Sequence, residues 1–387
     1  MITTEQPDVR VPVWPVVVAV VLSVAALTAF VWIENQGVLA GLLILLAAIW
    51  FIAVRFRALE GLALSAEAHP HTLRATACSA AILAILVLHD DNFGLLMLAT
   101  VLLYGTVCVG LTIQMGYAGL SNFCAAAFLG VGAYTAAALN WVPWLPDILV
   151  ILGGGLVAVL VGSMLVLPVL RTRGHYAALT TLAFGIMFGG FLDANQTLGG
   201  PQGLKLVGMK LFGWDFGRDI QIGGLVVSFY ASYVLLALAL FGTAMLVAGR
   251  LDRSWIGIWL DSLRLDETAS AVFGINIGLW KIVAFTAGNL LAGIAGAIYA
   301  KMLGFIAPNN FTLTDSLMMV SVVILGGIGN RWGVLPATVI VVLLPEKLQF
   351  IQEYRLLLFA LMVIVILMSS PAGFVPRRIR RMQFPAR

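Results

Sequence analysis

The sequence predicts an all-α polytopic membrane protein of about ten to twelve transmembrane helices, and three observations carry that expectation. First, the chain is 61% hydrophobic and only 10% charged; a soluble domain carries about 25% charged residues because its surface must face water. Second, the apolar residues fall into runs suited to crossing a bilayer, which takes ~20 residues at 1.5 Å rise each. Third, the cations sit in the short polar gaps between those runs. A chain of 387 residues built this way leaves no room for a large soluble domain.

The apolar runs lie at 13–33, 37–54, 75–89, 93–114, 118–140, 147–170, 175–197, 224–248, 282–300, 316–330, 333–346 and 353–370. Runs 75–89 and 333–346 are marginal in length, which sets the range of the count. The N-terminal residues are polar and mildly acidic, without the basic start or small-residue cleavage site of a signal peptide, so the first run reads as a retained helix. Arg55, Arg57 and Arg74 flank one gap, and Arg171 and Arg173 occupy the next. Arg250, Arg253, Arg264 and Lys281 lie in a third, Arg331 in a tight turn, and Arg377, Arg378, Arg380 and Arg381 in the tail. If all twelve runs cross, every one of these falls on one side together with both termini. The positive-inside rule makes that side cytoplasmic, in a bacterial cytoplasmic membrane. Trp141, Trp144 and Trp214 fall on the other side and suit an interfacial belt. The expected organisation is a two-helix extension over 1–74, a core over 75–376 that includes a cytoplasmic loop at 249–281, and a basic tail over 377–387.

Several function classes fall away. The net charge of +4 is dispersed among loops and forms no nucleic-acid patch. Cys78, Cys108 and Cys124 lack metal-ligand or disulfide spacing and read as small packing residues. His69 and His71 flank Pro70, and His89 adjoins Asp90 and Asp91; neither set makes a metal site. No Ser/His, His-acid or paired-carboxylate arrangement sits at membrane depth, so an enzyme is not expected. The chain also lacks the Gly-rich signature that cradles nucleotide phosphates, so no cofactor is expected on it.

Two glycine-rich breaks interrupt apolar stretches, at 114–122 and 325–330. Paired breaks can mark discontinuous helices lining a solute cavity in an inverted repeat, or close helix packing through small residues; both readings stay open. Ser121 and Asn122 at the first break, Tyr134, Thr180 and Thr181, and Asn289 inside an apolar run are the candidate path residues. Against each stands a structural role: satisfying broken-helix backbone, bonding back to the residue's own helix, or gluing helices together.

The loop 249–281 contains the most informative segment. Residues 259–273 read as one short amphipathic helix, with Leu260, Leu263, Ala269, Val272 and Phe273 apolar and Asp261, Arg264, Asp266 and Glu267 polar. Gly274 can end it in the left-handed conformation. Its acidic polar face favours docking on a protein partner over resting on lipid.

From Arg264 to Phe285 this loop resembles the coupling loop of branched-chain amino-acid ABC transporter permeases of the LivM type. Asp266, Glu267, Gly274, Ile275, Asn276, Lys281, Ala284 and Phe285 fit the family pattern. The likeness extends through Gly132 to Leu139, Arg171 to Gly185, Gly199 to Gly203, Leu325 to Gly333 and Ser370 to Val375, in the family's order. The resemblance implies an inverted-repeat permease bundle that forms the translocation path of an importer. It implies a second permease subunit, two ABC ATPases that hold ATP and Mg, an extracytoplasmic solute-binding protein, and a lipid bilayer around them. Arg264, Asp266, Glu267, Gly274, Asn276 and Lys281 would then couple to the ATPase. The chain departs from the pattern at His175, at Ile186 where a Glu is usual, and in the segment 119–128. These departures leave urea or a short-chain amide as alternative solutes. An ion-coupled transporter acting alone is the rival of another class, with Asp193 as its coupling carboxylate.

Overall fold

The computed structural model describes residues 83–347, apart from 143, 172–174, 212, 223 and 224, together with scattered positions on either side that include 373, 374 and 377. The runs expected at 13–33, 37–54 and 353–370, most of 75–89, the loop 55–74 with its histidines, and the tail beyond Arg377 lie outside the described residues. So do the side chains of Arg171 and His175. The chain forms two compact units that divide between Leu95 and Leu96, and the second carries everything below except the first turn of the opening helix.

Helices dominate, as the composition requires: with no water to bond the backbone, a lipid-embedded chain must close its hydrogen bonds internally. Helix α1 (Asn92–Leu111) runs without a charged residue into a π-helix, Thr112–Tyr117. Next come α2 (Ala125–Leu139), α3 (Asp147–Arg171) and α4 (His175–Ala194). An outer segment then holds β1 (Leu204–Lys205), β2 (Lys210–Leu211), β3 (Trp214–Asp215), β4 (Ile220–Ile222) and β5 (Leu225–Val227). Helix α5 (Tyr230–Arg253) leads into α6 (Trp255–Leu265) and α7 (Glu267–Val272), and α8 (Ile277–Leu303) follows. Strand β6 (Phe305–Ile306), α9 (Leu313–Gly326) and α10 (Val334–Lys347) close the described core.

Among the described residues five helices are long and apolar enough to cross a bilayer. The runs expected at 118–140, 316–330 and 333–346 form shorter helices. At 14 or 15 residues each rises about 21–23 Å, less than the ~30 Å of hydrocarbon. The last two belong to a pair of helical segments bent by 120° at a short break, so one bent element replaces two straight crossings. The reason is local: Gly327 and Gly329 take positive φ of 104° and 89°, which an α-helix cannot continue.

The core is a three-helix contact of α2, α3 and α8 made on glycine. A Cβ on Gly132 would meet the backbone of Gly293, and one on Gly296 would meet the backbone of Leu129. Small residues allow this backbone approach, which substitutes for a hydrophobic driving force in lipid. On the outer side of α3, Leu152, Leu156, Leu160, Met164 and Leu167 stand exposed at helical spacing, an apolar stripe suited to lipid. The outer segment adds a feature the sequence did not announce. Three antiparallel two-stranded ribbons form there, and one of them ties Leu204 and Lys205 of β1 to Ile306 and Phe305 of β6. At the same end Lys301 is buried against Asp147 at 2.8 Å and donates to Asn140 Oδ1 at 2.6 Å. Cys108 and Cys124 are buried free thiols, in keeping with a packing role.

Candidate functional site: the junction of the loop with the broken span

The loop after α5 departs from the expected single helix over 259–273. It forms two helices, α6 and α7, divided at Asp266. That residue is extended (φ −157°, ψ 111°), and its carboxylate accepts from Thr268 N at 2.8 Å and Ala269 N at 3.1 Å. An aspartate bonding two free N–H groups starts a new helix, so the amphipathic stripe is cut. Leu260 and Leu263 of α6 are buried, whereas Val272 and Phe273 are 82% and 84% exposed; the expected shared apolar face does not form. Gly274 follows at φ +78°, the left-handed stop the sequence indicates. Asn276 caps α8 by accepting from Leu279 N at 3.1 Å. Glu267 is paired within the loop, its Oε1 lying 2.6 Å from Lys281 Nζ. Trp255, Trp259 and Trp280 stack edgewise at 4.4 to 5.5 Å and fasten α6 to the start of α8.

Arg264 turns inward. Its Nη1 donates to the Gly116 carbonyl at 2.7 Å, and Arg377 Nη1 donates to the same oxygen at 3.1 Å. A π-helix leaves such carbonyls without a regular helical partner, and two guanidinium groups at the negative end of a span suit its dipole. Arg377 also pairs with Asp252 at 2.9 Å and Asp261 at 2.7 Å and lies 4.5 Å from the Tyr117 ring centroid. Arg331 Nη1 lies 3.4 Å from Asp252. Burial raises the Asp261 carboxyl above its usual value, outweighing the opposing pull of Arg377. Burial, followed by the neighbouring Arg377, lowers Arg264. The two glycine-rich breaks meet here: a Cβ on Gly116 would lie 2.6 Å from Gly329 N.

One helical step deeper lies an amide network. Gln114 Nε2 donates to Phe285 O at 2.8 Å and to Asn289 Oδ1 at 3.0 Å, and Asn122 Nδ2 donates to Gln114 Oε1 at 2.7 Å. Amide orientations are assigned from their partners, and here the backbone fixes them. Cys124 N–H must donate, which makes Oδ1 the acceptor on Asn122, and Phe285 O must accept, which makes Nε2 the donor on Gln114. Asn289 therefore faces Gln114 with its oxygen. Its Nδ2 points toward Gly162, buried and without a partner.

Of the candidate path residues, Asn122 and Asn289 join this network. Ser121 lies beside it in sequence, half-buried. Thr181 accepts from Phe123 N at 3.1 Å, satisfying the broken backbone. Thr180 donates to Tyr176 O at 2.9 Å, back to its own helix. Tyr134 sits apart, packed on Phe311 with its buried hydroxyl unpartnered. Asp193 is exposed at the end of α4. Sequence reasoning missed Gln114, although an amide inside an apolar run is the same signal that marked Asn289. It also missed Arg377 and Asp252 as partners of the loop and Lys301 with Asp147, which only the fold brings together.

Residues 93–367 match the family described as branched-chain amino acid transport system / permease component. The chain is 31% identical over 294 residues to the high-affinity branched-chain amino acid transport system permease protein LivM of Salmonella typhimurium, covering 71% of this chain and 68% of that one. Identity to the protein of the same description from Escherichia coli is 30% over the same length and the same shares. No solved structure matches the chain. The chain belongs to the permease-component family of branched-chain amino acid transport systems, and it is a multi-pass membrane protein.

Proposed function

We propose that this family member forms the translocation path of an ABC importer for branched-chain amino acids and couples to ATPase subunits through α6 and α7. The partners are a second permease, two ATPases that supply ATP and Mg, and an extracytoplasmic binding protein. The observation that carries the reading is the exposed pair Val272–Phe273. The pair stands just before the left-handed Gly274, on a loop bonded through Arg264 to the broken span. Two large apolar side chains left bare at the end of α7 fit insertion into a groove of a soluble partner. Arg264, Arg331 and Arg377 meet at one end of the core beside Asp252, where Arg250 and Arg253 also close α5, and such a gathering of cations puts that end in the cytoplasm. Arg264, Asp266, Glu267, Gly274, Asn276 and Lys281 then act by shaping the loop: they anchor it, cap it, pair across it and end it. Asn122 and Asn289, with Gln114, are the polar groups of the path best placed to meet a solute.

Replacing Phe273 with Asp tests the reading. The ATPase should be lost from the co-purified complex while the permease stays in the membrane at parental abundance. An ATPase that remains bound, with uptake at the parental rate, would remove the loop from the coupling role. The rival ion-coupled reading wants a carboxylate at membrane depth, and Asp193 is exposed at a helix end. Uptake should therefore collapse with vanadate or ATP depletion and persist under a protonophore when ATP is maintained. Competition between leucine and urea or acetamide separates the amino-acid reading from the amide one.

A further inference from the structure

The π-helix Thr112–Tyr117 stands between the loop and the amide network, and both grip it. From outside, Arg264 and, more distantly, Arg377 hold the Gly116 carbonyl. From inside, Gln114, two residues earlier, reaches across to Phe285 O and Asn289 of α8. The register is closed by Ala118 N donating to Ile113 O at 3.2 Å and Leu120 N to Gln114 O at 2.9 Å. A π turn holds one residue more than the α turn it can become. Passing between the two registers slips the helix by one residue, which swings a side chain by about 100° around the axis. Gln114 cannot hold both of its α8 partners in both registers.

We propose that this π-helix is the switch that converts movement of α6 into rearrangement of the Gln114–Asn289 contact, with Arg264 as its positioning residue. Arg377, which shares that oxygen, is itself paired with Asp261 of α6 at 2.7 Å. When α6 moves away, both guanidinium groups are drawn off the Gly116 carbonyl, the wide turn relaxes into α register, and Gln114 rotates off Asn289. The Asn289 oxygen is then freed, beside an Nδ2 that already lacks a partner, and the two offer a donor and an acceptor to a passing polar solute. Gly116 lies against Gly329 without a side chain between them, so the slip also shifts the bent pair α9–α10. The inference rests on the ABC-permease reading above, since only a driven α6 would supply the movement.

The test uses the complete transporter, both permeases with ATPases and binding protein, reconstituted in proteoliposomes. In the parental complex, amide hydrogen exchange in peptides covering 112–122 should change between the nucleotide-free and ATP–vanadate-trapped states. Arg264→Gln should lower the solute moved per ATP hydrolysed by about tenfold or more, an amount typical of a coupling term between sites. Arg264→Lys, which keeps a cation for the carbonyl, should recover part of that ratio. If Arg264 merely capped the span, hydrolysis and flux would fall together and their ratio would hold; that result overturns the proposal. Unchanged exchange at 112–122 in the parental complex overturns it as well, whatever the variants do. Failure of the underlying reading looks different: the parental complex itself would not hydrolyse ATP in response to the loaded binding protein.

Discussion

Replacing Gly132 with alanine tests whether α2, α3 and α8 are held together by backbone contact. The new Cβ would lie 2.6 Å from both the Cα and the carbonyl carbon of Gly293, main-chain atoms that cannot rotate aside. To bring those carbons to ordinary contact at 3.4 Å, α8 must retreat by at least ~0.8 Å, and further to clear the Gly293 carbonyl oxygen, which stands nearer still; interiors this dense transmit such a shift instead of absorbing it. Room for that retreat is scarce, because α3 also packs closely on Gly293: a Cβ added there would itself lie 2.9 Å from Gly155 Cα. Overpacking of this kind costs about 3 kcal/mol at the upper end of its range, against a gain of ~1 kcal/mol for alanine over glycine in a helix. A net loss of about 2 kcal/mol is expected from those two terms. Gly189 on α4 is the control, since nothing lies within 4 Å of a Cβ there; Gly189→Ala should be neutral or slightly stabilising. Unfolding of both variants in the same detergent measures the difference. Equal stability of the two would refute the claim that glycine contact sets the spacing of the core.

Further outcomes follow from single contacts. Lys301→Met leaves the half-buried Asp147 carboxylate with the Lys210 N–H at 2.6 Å in place of its cation, so stability should fall by about 3 kcal/mol, the lower end of the cost of breaking a buried pair; adding Asp147→Leu should recover part of it in the same unfolding assay. Asp266→Ala removes the double cap of α7, worth ~1 kcal/mol, and should speed amide exchange at Thr268 and Ala269 while α6 stays protected. The Asp261 carboxyl is raised above its usual 3.8 mainly by burial. The folded chain therefore holds that proton more tightly than the unfolded one, and the stability it contributes is full below pH 3.8 and is lost as pH rises through the folded value. Protection of α6 against exchange should accordingly increase as pH is lowered through that window, and Asp261→Asn should flatten the trend.

Composition made the bilayer legible, because 10% charge cannot cover a soluble surface. Helix positions from residue 92 to 347 were legible from apolar runs, but their lengths were not: a run such as 118–140 reads as continuous although Cys124 begins a new helix after irregular backbone. Hydropathy counts apolar residues without seeing which backbone bonds are made. The glycine breaks were visible as glycine and their meeting was not, since contact between residues 116 and 329 is set by the fold. The single coupling helix failed for a physical reason: Asp266 belongs to the polar face by periodicity, yet an aspartate can bond two N–H groups ahead of it and restart the helix. Asn289 could be found in the sequence because an amide in hydrocarbon must find partners; that one of them is Gln114, 175 residues away, could not.

The departure at Ile186 takes on a different meaning once the helices are placed. A carboxylate lost from the path would bear on which solute passes, but Ile186 is 61% exposed on α4, next to Met187, on a different face of the helix from Gly185, which faces Cys124. The difference from the family pattern therefore falls on a face of α4 that this chain leaves uncovered, where isoleucine needs no partner and glutamate would. The Gln114–Asn122–Asn289 network contains amides and main-chain carbonyls and no charge. A zwitterionic solute would meet only dipoles there, each worth far less than an ion pair at low dielectric. On the proposed function, a path lined by such groups would release its cargo readily and leave selection among small polar solutes to the binding protein.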